Sequence, residues 1–340
     1  MKNEYTNKPR VAVVIPCYAV GGRVVEVVRG IPAWIDEIIA VDDACPEGSA
    51  RVLEARCEDP RLKIVRHDRN RGVGAAMATG YRAALASGCD VVVKMDGDGQ
   101  MNPRHLEALV EPILAGEADF TKGNRFYDLA ALRAMPAVRR FGNLGLTFLA
   151  KAASGYWNVA DPANGYTAVH AAALRLLNLD HLSRRFFFEN SMLIQLNIVR
   201  ALAVDVPMPA RYAGEKSSLR TRAVLLGFPP RLMLGFVRRL IWRYFIYDIN
   251  AVTVLLLGGG CALAFGVGFG AYRWILGHAT HEVQSAGTVA VALLPTLLGF
   301  QMLLQAVLFD VTDRPKSALC RPAGTRMVRS RAPFESLAGK

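Results

Sequence analysis

The sequence predicts an α/β domain of Rossmann-like type, followed by interfacial amphipathic helices and a two-helix transmembrane hairpin. Short apolar runs of strand length alternate with helix-like segments in the first part of the 340-residue chain, a pattern typical of a parallel sheet covered by helices. A stretch of interleaved arginines and aromatic residues follows at 220–247. Two later uncharged runs each exceed the roughly 20 residues that a helix needs to cross a membrane.

Four strands are predicted, at residues 11–16, 37–41, 62–65 and 91–95. Ligands of parallel α/β sheets bind outside the carboxyl ends of the strands, so the residues that follow each strand are candidates for a site. Small or acidic polar groups stand at three of these ends: Pro16 and Tyr18, Asp42 and Asp43, and Asp96 and Asp98. Their convergence on one edge predicts a binding site there.

The fourth strand ends in the sequence DGDGQ, which places Asp96 and Asp98 one residue apart. Because side chains alternate along an extended chain, both carboxylates can point the same way, and the intervening glycines let the backbone approach a ligand closely. Hard oxygen ligands of this kind suit Mg²⁺ or Mn²⁺, which keep positions open for water and substrate phosphates. The alternative is a polar Asp-Gly turn after a buried strand.

Two further segments precede this acidic pair. The carboxylates of Asp42 and Asp43 can accept hydrogen bonds from a base or a ribose, and the alternative is that they cap the following helix. Residues 67–74, HDRNRGVG, form a basic, glycine-containing turn that opens a helix. Such a turn can meet phosphate through backbone N–H groups and the helix dipole, which makes Arg71 a candidate contact for a phosphate-bearing ligand.

The uncharged runs cover residues 249–272 and 283–309. We therefore expect a domain at 1–218, interfacial helices at 219–248, transmembrane helices at about 249–272 and 285–309 within 249–310, and a basic tail at 311–340. The glycines of the first run allow close approach of the second. A buried helix hairpin of a soluble protein is the alternative.

Basic residues predict the orientation of this hairpin. Eight Lys or Arg lie between Arg211 and Arg243 and seven follow Asp310, whereas the link from Arg273 to Glu282 has only Arg273. The positive-inside rule places the first domain and the tail in the cytoplasm, at the inner membrane if the source is bacterial. These flanks explain most of the net charge of +12, so we expect no binding to nucleic acid.

Residues 220–247 connect the domain to the first span. Pro229 and Pro230 predict a break in this stretch, and its interleaved arginines and rings predict an interfacial helix with arginines toward lipid headgroups. A domain held in this way faces lipid directly, so one of its ligands is expected to be a lipid.

The motifs IPCY, VDDAC, RNRGVGAA, DGDGQ and KGNRF occur in this order over residues 10–220. The chain thereby resembles the nucleotide-sugar-binding domain of family 2 glycosyltransferases, which has the GT-A fold, and it is most similar to the branch of dolichol-phosphate mannosyltransferases and polyprenyl-phosphate glycosyltransferases. The first motif usually continues with Asn-Glu in this family, and here Ala19-Val20 follow it. The second motif usually ends in Gly-Ser, and here it ends in Ala44-Cys45.

The resemblance implies roles for the strand-end residues. Pro16 and Tyr18 would line the nucleotide, with Asp42, Asp43 and Arg71 among its contacts and Asp43 at the base. Asp96, Asp98 and Gln100 would surround the metal and the diphosphate.

On the acceptor side, the resemblance places Arg125 and the arginines before the next helix, Arg139 and Arg140, at the acceptor phosphate. Arg211 with Lys216 or Ser217 would close over donor or acceptor phosphates. The planar fork of arginine suits this task because it binds phosphate oxygens in pairs. The alternative is that these arginines attract anionic lipid headgroups.

The implied reaction is inverting transfer of a sugar from a GDP- or UDP-sugar to dolichyl or undecaprenyl phosphate, with Asp98, Arg125 and Asp161 as catalytic residues. A phosphate acceptor needs no strong base; a hydroxyl acceptor would need one, for which Asp161 or Glu189 is the candidate. Asp161 could equally cap the turn that it begins.

Two other functions stay open: a membrane-anchored transferase that acts on a hydroxyl of another lipid or a saccharide, and a catalytically silent scaffold that binds nucleotide sugars. The chain lacks the Gln-x-x-Arg-Trp motif of processive polysaccharide synthases. Two spans cannot enclose a transport path, so a separate flippase or downstream transferase is an expected partner, and a homo-oligomer is possible. The sugar and the donor base are not specified by these motifs.

Overall fold

The computed structural model describes residues 8–127, 137–209 and 221–320. Its centre is a seven-stranded sheet in the order β3-β2-β1-β4-β6-β5-β7. The strands are β1 (Val11–Cys17), β2 (Glu37–Asp42), β3 (Leu62–Arg66), β4 (Val91–Lys94), β5 (Phe120–Asn124), β6 (Thr167–His170) and β7 (Ala203–Pro207). The four strands predicted from apolar runs are confirmed, each with its end shifted by one residue.

The four predicted strands pair in parallel as expected, and the sheet also contains an antiparallel strand, β6. This strand runs antiparallel to β4 and β5, whereas β1 to β4 pair in parallel and β7 is parallel to β5. Because β6 runs the opposite way, it begins at the edge where β4 and β5 end. The segment that leads into it, residues 161–166, therefore lies at the predicted site.

Ten α-helices are described: α1 (Arg23–Gly30), α2 (Ser49–Arg56), α3 (Val73–Ala86), α4 (Leu106–Leu114), α5 (Ala137–Ser154), α6 (Ala171–Leu176), α7 (Phe188–Ile198), α8 (Thr221–Ile241), α9 (Ala251–Thr280) and α10 (Ala286–Thr312). Helices α1, α2 and α4 pack on one face of the sheet and α3 and α7 on the other, so the sheet is buried on both sides. This double burial explains why the central strands β1, β2 and β4 are mostly apolar along their length rather than alternating.

Helix α3 approaches the sheet closely at Gly80. A Cβ atom placed at Gly80 would stand 2.2 Å from Cγ1 of Val14 on β1, and Val14 is fully buried. The absence of a side chain therefore fixes how near α3 lies to β1, and with it the position of the 67–74 turn that precedes the helix.

The break predicted at Pro229 and Pro230 is wrong, because both prolines lie inside the single helix α8. Each proline removes a backbone hydrogen bond at a cost of about 3 kcal/mol. The helix persists because its next turn packs against the domain: Leu232 is buried in a cluster with Ala150 of α5 and Ile194 of α7. A π-helical segment, Trp242–Tyr247, joins α8 to α9.

Helices α9 and α10 form the predicted hairpin and are both long and apolar enough to cross a membrane. Only 22% and 11% of their most apolar windows are buried, whereas a core helix of a soluble protein would be mostly buried. Their close contact needs glycine: a Cβ at Gly299 would lie 2.5 Å from the backbone nitrogen of Leu263. The predicted division of the chain at 218/219 lies outside the described residues.

We predict that Gly80→Ala lowers the free energy of unfolding by about 1–3 kcal/mol, because the added methyl group overpacks α3 against β1. Gly145→Ala is the matched control: Gly145 also lies within a helix, α5, but a Cβ there meets nothing within 4 Å. Its effect should stay below about 1 kcal/mol and favour the folded state. Denaturant unfolding of both purified variants measures the difference, and equal stabilities would contradict the close seating of α3.

Candidate functional site

The acidic pair after β4 lies at the carboxyl edge of the sheet, where it was predicted. Nζ of Lys94 lies 2.7 Å from Oδ1 of Asp96, and Oδ1 of Asp98 accepts a hydrogen bond from the backbone N–H of Gln100 at 3.0 Å. One oxygen of each carboxylate stands outside these two contacts. Asp96 and Asp98 are partly exposed and Gln100 is exposed, so this edge is open to a ligand.

The donor set at this edge fits a hard divalent cation. Mg²⁺ and, by the same ligand preference, Mn²⁺ take one or two carboxylates and complete their coordination with water and substrate phosphates. Two carboxylates separated by one residue match that arrangement, and the amide oxygen of Gln100 is a further hard donor. Among the described residues no group of three or more His, Cys, Asp or Glu is placed to hold a metal ion.

Lys94 is the buried partner of Asp96. Its side chain is almost fully buried, 2.7 Å from Asp96 and 3.5 Å from Oε1 of Glu189. Burial alone would lower the pKa of Lys94, but the charges of Asp96 and Glu189 outweigh burial and raise the pKa above its ordinary value. Lys94 therefore stays charged and orients Asp96 from beneath. Glu189, a predicted base for a hydroxyl acceptor, lies in the first turn of α7 against this lysine.

Asp42 caps the helix that follows it, as in the alternative interpretation. Its Oδ1 accepts the N–H of Cys45 at 2.8 Å and its Oδ2 accepts the N–H of Ala50 at 3.2 Å. Both residues belong to the turn and first helical positions of α2, so the carboxylate satisfies backbone donors that have no partner within the helix.

Asp43 is buried and holds the 67–74 turn against the sheet. Its carboxylate lies 2.7 Å from Nδ1 of His67 and accepts the backbone N–H groups of Arg71 and Gly72 at 2.9 and 2.7 Å. Contact of Asp43 with a base stays a prediction. Arg71 itself is exposed beside this turn, where its side chain can reach a ligand.

Three backbone amides of this turn are unavailable to a phosphate, contrary to the expectation that the turn binds phosphate through its amides. The N–H groups of Arg71 and Gly72 point to Asp43, and the N–H of Gly74 donates to the carbonyl oxygen of Arg184 at 2.9 Å. These donors are the ones that would have faced an anion. Protein oxygens occupy these three amides, so a phosphate at this turn would depend on its other donors and on side chains.

At the first strand end, Pro16 is buried within β1, whereas Tyr18 is about half exposed at the edge of the sheet. Tyr18 is thus placed to offer its ring to a ligand. Pro16 shapes the strand end from within.

Arg125 and Asp161 form one unit. Nε and Nη2 of Arg125 lie 2.7 and 3.1 Å from the two carboxylate oxygens of Asp161, and the Asp161 side chain is 0% exposed while Arg125 is 38% exposed. A buried carboxylate bound by a guanidinium on both oxygens is poorly placed to take a proton from an acceptor. Asp161 instead fixes the direction of Arg125, and the turn-cap alternative does not describe its side chain.

Lys122 was not identified from the sequence. It is buried in β5 and donates to the backbone carbonyl of Asn164, and both Lys94 and Lys122 are cross-strand neighbours of Thr167 on β6. Burial lowers the pKa of Lys122 to about 8, against the raising effect of Glu189 and Asp161. The available signal was a lysine within a short apolar strand, in VVVK and again in FTKGN.

The remaining predicted residues are only partly described. Arg139 and Arg140 lie in the first turn of α5, and their side chains lie outside the described part. Arg211, Lys216 and Ser217 also fall outside the described residues. Their contacts with an acceptor stay predictions.

Comparison with known proteins identifies relatives of this domain. The family model for glycosyl transferase family 2 matches residues 12–177. A UDP-N-acetylglucosamine–dolichyl-phosphate N-acetylglucosaminyltransferase of Methanococcus voltae is 27% identical over 229 residues, which cover 63% of this chain and 90% of that protein. An undecaprenyl-phosphate mannosyltransferase of Micrococcus luteus is 29% identical over 174 residues, which cover 51% of this chain and 70% of that protein.

Solved structures support the fold. Glucosyl-3-phosphoglycerate synthase from Mycobacterium tuberculosis, in complex with UDP, superimposes with a TM-score of 0.51 at 18% identity, covering 68% of this chain and 80% of that one. The same enzyme in complex with Mn²⁺, UDP-glucose and phosphoglyceric acid gives a TM-score of 0.50 over the same shares. At this identity the likeness concerns the fold alone.

The buried lysine beneath the edge generates a prediction about pH. The folded protein releases the Lys122 proton near pH 8, whereas an exposed lysine holds its proton to about 10.5. Between these values the unfolded chain binds more protons, so the free energy of unfolding should rise with pH. We expect a gain of about 1–3 kcal/mol from Lys122 between pH 8 and 10.

Lys122→Met should not show this rise in the free energy of unfolding. Urea unfolding at a series of pH values measures it. Lys63→Met, which removes a lysine whose side chain is 59% exposed, is the matched control and should keep the gain of the unmodified protein. The same pH dependence in the Lys122 variant would contradict the assignment.

Proposed function

We propose, from the match of residues 12–177 to the model for glycosyl transferase family 2, that the protein transfers a sugar from a nucleoside-diphosphate sugar to a polyprenyl phosphate at the cytoplasmic membrane face. The product would be a lipid-linked monosaccharide. The relatives named as dolichyl-phosphate and undecaprenyl-phosphate transferases support this class of acceptor.

One observation carries the proposal: a carboxylate pair and a fixed guanidinium stand at the same edge of the sheet. Asp96 and Asp98 follow β4 and Arg125 follows β5, and β6 lies between these two strands. Two inter-strand spacings amount to about 10 Å. That distance leaves room for a sugar between a diphosphate near the carboxylates and an acceptor phosphate near the guanidinium.

Asp96, Asp98 and Gln100 would hold the divalent cation. When bound, the cation supplies electrostatic stabilisation to the negative charge that develops on the departing diphosphate. Lys94 fixes Asp96 before substrate arrives, because its charge stays buried between Asp96 and Glu189. Tyr18, Asp43 and Arg71 are proposed to contact the nucleotide, with Pro16 and Asp42 shaping the strand ends.

Arg125 is proposed to hold the acceptor phosphate, with Asp161 as its positioning residue. A phosphate oxygen is already anionic near pH 7, so the reaction needs positioning rather than a strong base. The acceptor oxygen would form its bond to the anomeric carbon as the bond to the diphosphate oxygen breaks, in line and with inversion. The buried, ion-paired state of Asp161 favours this scheme over a hydroxyl acceptor.

The membrane part of the proposal rests on α8, α9 and α10. Exposed apolar residues line one side of α8 at helical spacing: Met233, Leu234, Val237 and Ile241. That side is proposed to lie on the bilayer, with α9 and α10 crossing it and the basic flanks in the cytoplasm. Arg139, Arg140, Arg211, Lys216 and Ser217 complete the proposed acceptor set.

We predict that the purified protein transfers sugar from at least one member of a panel of UDP- and GDP-sugars to polyprenyl phosphate in lipid nanodiscs when Mg²⁺ or Mn²⁺ is present. Asp98→Asn should reduce turnover at least about 100-fold, as expected when a group that stabilises the transition state is removed, while the variant stays folded and membrane-bound. Mass spectrometry of the extracted lipid identifies the product.

The panel also separates the alternatives. Transfer only to a hydroxyl-bearing lipid or saccharide would contradict the phosphate acceptor, and nucleotide-sugar binding without transfer to any acceptor would indicate a scaffold. Normal turnover of Asp98→Asn without added metal would contradict the metal site.

We predict that Arg125→Lys weakens the use of polyprenyl phosphate by about 10–100-fold in kcat/KM, because loss of a charge-assisted bidentate contact costs about 1.5–3 kcal/mol. Hydrolysis of the donor without acceptor should change less than twofold. Asp161→Asn should act in the same direction, since it releases the guanidinium. Steady-state assays of transfer and of hydrolysis measure how much each reaction loses.

The matched control is Arg82→Lys, which alters another arginine–aspartate pair, that of Arg82 with Asp180, where both side chains are exposed. It should change neither reaction. Equal losses of transfer and hydrolysis in Arg125→Lys would count against its role at the acceptor.

A further inference from the structure

A guanidinium with all of its donors satisfied lies between the domain and the hairpin. Arg239 of α8 is 0% exposed. Its Nε donates to the carbonyl of Ala153 at 2.9 Å, Nη2 donates to Oδ2 of Asp310 at 2.7 Å and to the carbonyl of Ala152 at 3.1 Å, and Nη1 donates to Oδ1 of Asp310 at 2.7 Å and to Asn197 at 3.5 Å. These contacts match the five N–H donors of arginine.

A second set of charges lies next to this pair. Asp310, near the end of α10, also accepts the hydroxyl of Tyr244 at 2.7 Å. Nη2 of Arg243 lies 2.6 Å from Oδ2 of Asp313, and Nη1 of Arg200 lies 2.9 Å from the same oxygen. We refer to these five charged residues, Arg200, Arg239, Arg243, Asp310 and Asp313, as the junction cluster.

Two arginines of this cluster, Arg239 and Arg243, do not face lipid headgroups, contrary to the prediction for residues 220–247. Arg239 and Arg243 are both buried, and their partners lie about 70 residues further along the chain. They join three separate parts of the molecule: the end of α8, the end of α10 and the domain.

The junction cluster contacts the last turns of two helices, α5 and α7, whose first turns carry residues predicted for the site. Ala152 and Ala153 are in the last turn of α5, and Arg139 and Arg140 are in its first turn. At 1.5 Å per residue, α5 is a rod about 27 Å long.

Helix α7 has the same arrangement. Asn197, which also accepts a hydrogen bond from Nη1 of Arg243 at 2.6 Å, is in its last turn, and Glu189 beside Lys94 is in its first. This rod is about 16 Å long.

Gly155 shows how closely the backbone fits around the guanidinium. Its φ is +74°, and a Cβ there would stand 2.8 Å from Nη1 of Arg239 and 2.9 Å from Nδ2 of Asn197. Both the left-handed conformation and the missing side chain are needed where α5 ends. The domain is thus shaped to receive Arg239.

We propose that the junction cluster sets the height and tilt of the candidate site above the membrane, with Arg239 and Asp310 as positioning residues for transfer to an acceptor embedded in the bilayer. This inference rests on the proposed function. A buried ion pair is often no more stable than apolar residues of similar volume. Its contribution here is a fixed geometry between the site-bearing helices and the hairpin.

The test is the double variant Arg239→Met with Asp310→Leu, which removes both charges and keeps a packed, apolar junction. Removal of one partner alone would leave an unpaired buried charge and risk unfolding. Arg238→Met is the matched control, because it removes the same charge from the neighbouring, exposed position on α8. Arg239→Lys, which keeps the charge but not the five donors, is the second variant if the double variant does not fold.

Two readouts are needed. The first is KM for a long-chain polyprenyl phosphate in nanodiscs, compared with kcat/KM for a short-chain isoprenyl phosphate dispersed in detergent. We expect KM in nanodiscs to rise about tenfold or more while the short-chain reaction changes less than twofold. The second is amide hydrogen exchange at residues 152–155, which should accelerate at least about tenfold. Arg238→Met should leave both readouts unchanged.

An unchanged KM in nanodiscs despite faster exchange would overturn the positioning role, and so would equal losses with both acceptors. Unchanged exchange would overturn the junction cluster as a rigid connection. Absence of transfer by the unmodified protein with either acceptor would overturn the proposed function instead, and the exchange measurement would still decide whether the cluster holds the two parts together.

Discussion

A buried charge is tolerated in this protein where an opposite charge and a set of hydrogen bonds accompany it, and two such places organise the molecule. One is beneath the carboxyl edge of the sheet, where Lys94 lies between Asp96 and Glu189. The other is the junction cluster, where Arg239 is paired with Asp310. Burying each of these ions costs several kcal/mol of desolvation, which is offset only when the opposite charge and the hydrogen-bond partners are well placed. That requirement restricts the positions of α5 and α7. Helix α7 contacts Lys94 through Glu189 at one end and the junction cluster through Asn197 at the other.

The fold was largely predictable where local sequence carries the signal. Of the first four strands, β1, β2 and β4 are buried along their whole length, and all four contain short apolar runs. The hairpin is two long uncharged runs, so composition alone indicates both. The second half of the sheet gave no such signal. Phe120–Asn124 contains a lysine and a glycine, and Thr167–His170 is only four residues long. Their pairing, and the reversed direction of β6, depend on contacts between segments that are distant in the chain.

At the candidate site, the sequence indicated which residues matter but not which partners they contact. The motifs located the acidic pair, Asp43 and Arg125 on one edge of the sheet. They could not show that Asp43 would hold the backbone of Arg71 and Gly72, or that Asp161 would be the partner of Arg125. Lys122 was missed because a buried lysine is recognisable only when the elements packed around it are known.

Asp310 illustrates how one residue can serve as a boundary in the sequence and as a contact in the structure. In the sequence it ends the second uncharged run; in the structure it receives Arg239 and Tyr244. The uncharged part of α10 before it is about 36 Å long, and that of α9 about 33 Å, both slightly more than the roughly 30 Å of a bilayer core. If both helices cross the membrane as proposed, Asp310 lies at the boundary rather than at the midplane. A paired charge costs less there, and the hairpin cannot shift in depth without separating Asp310 from the domain. The level of the hairpin in the bilayer and the level of the candidate site are therefore set by the same ion pair.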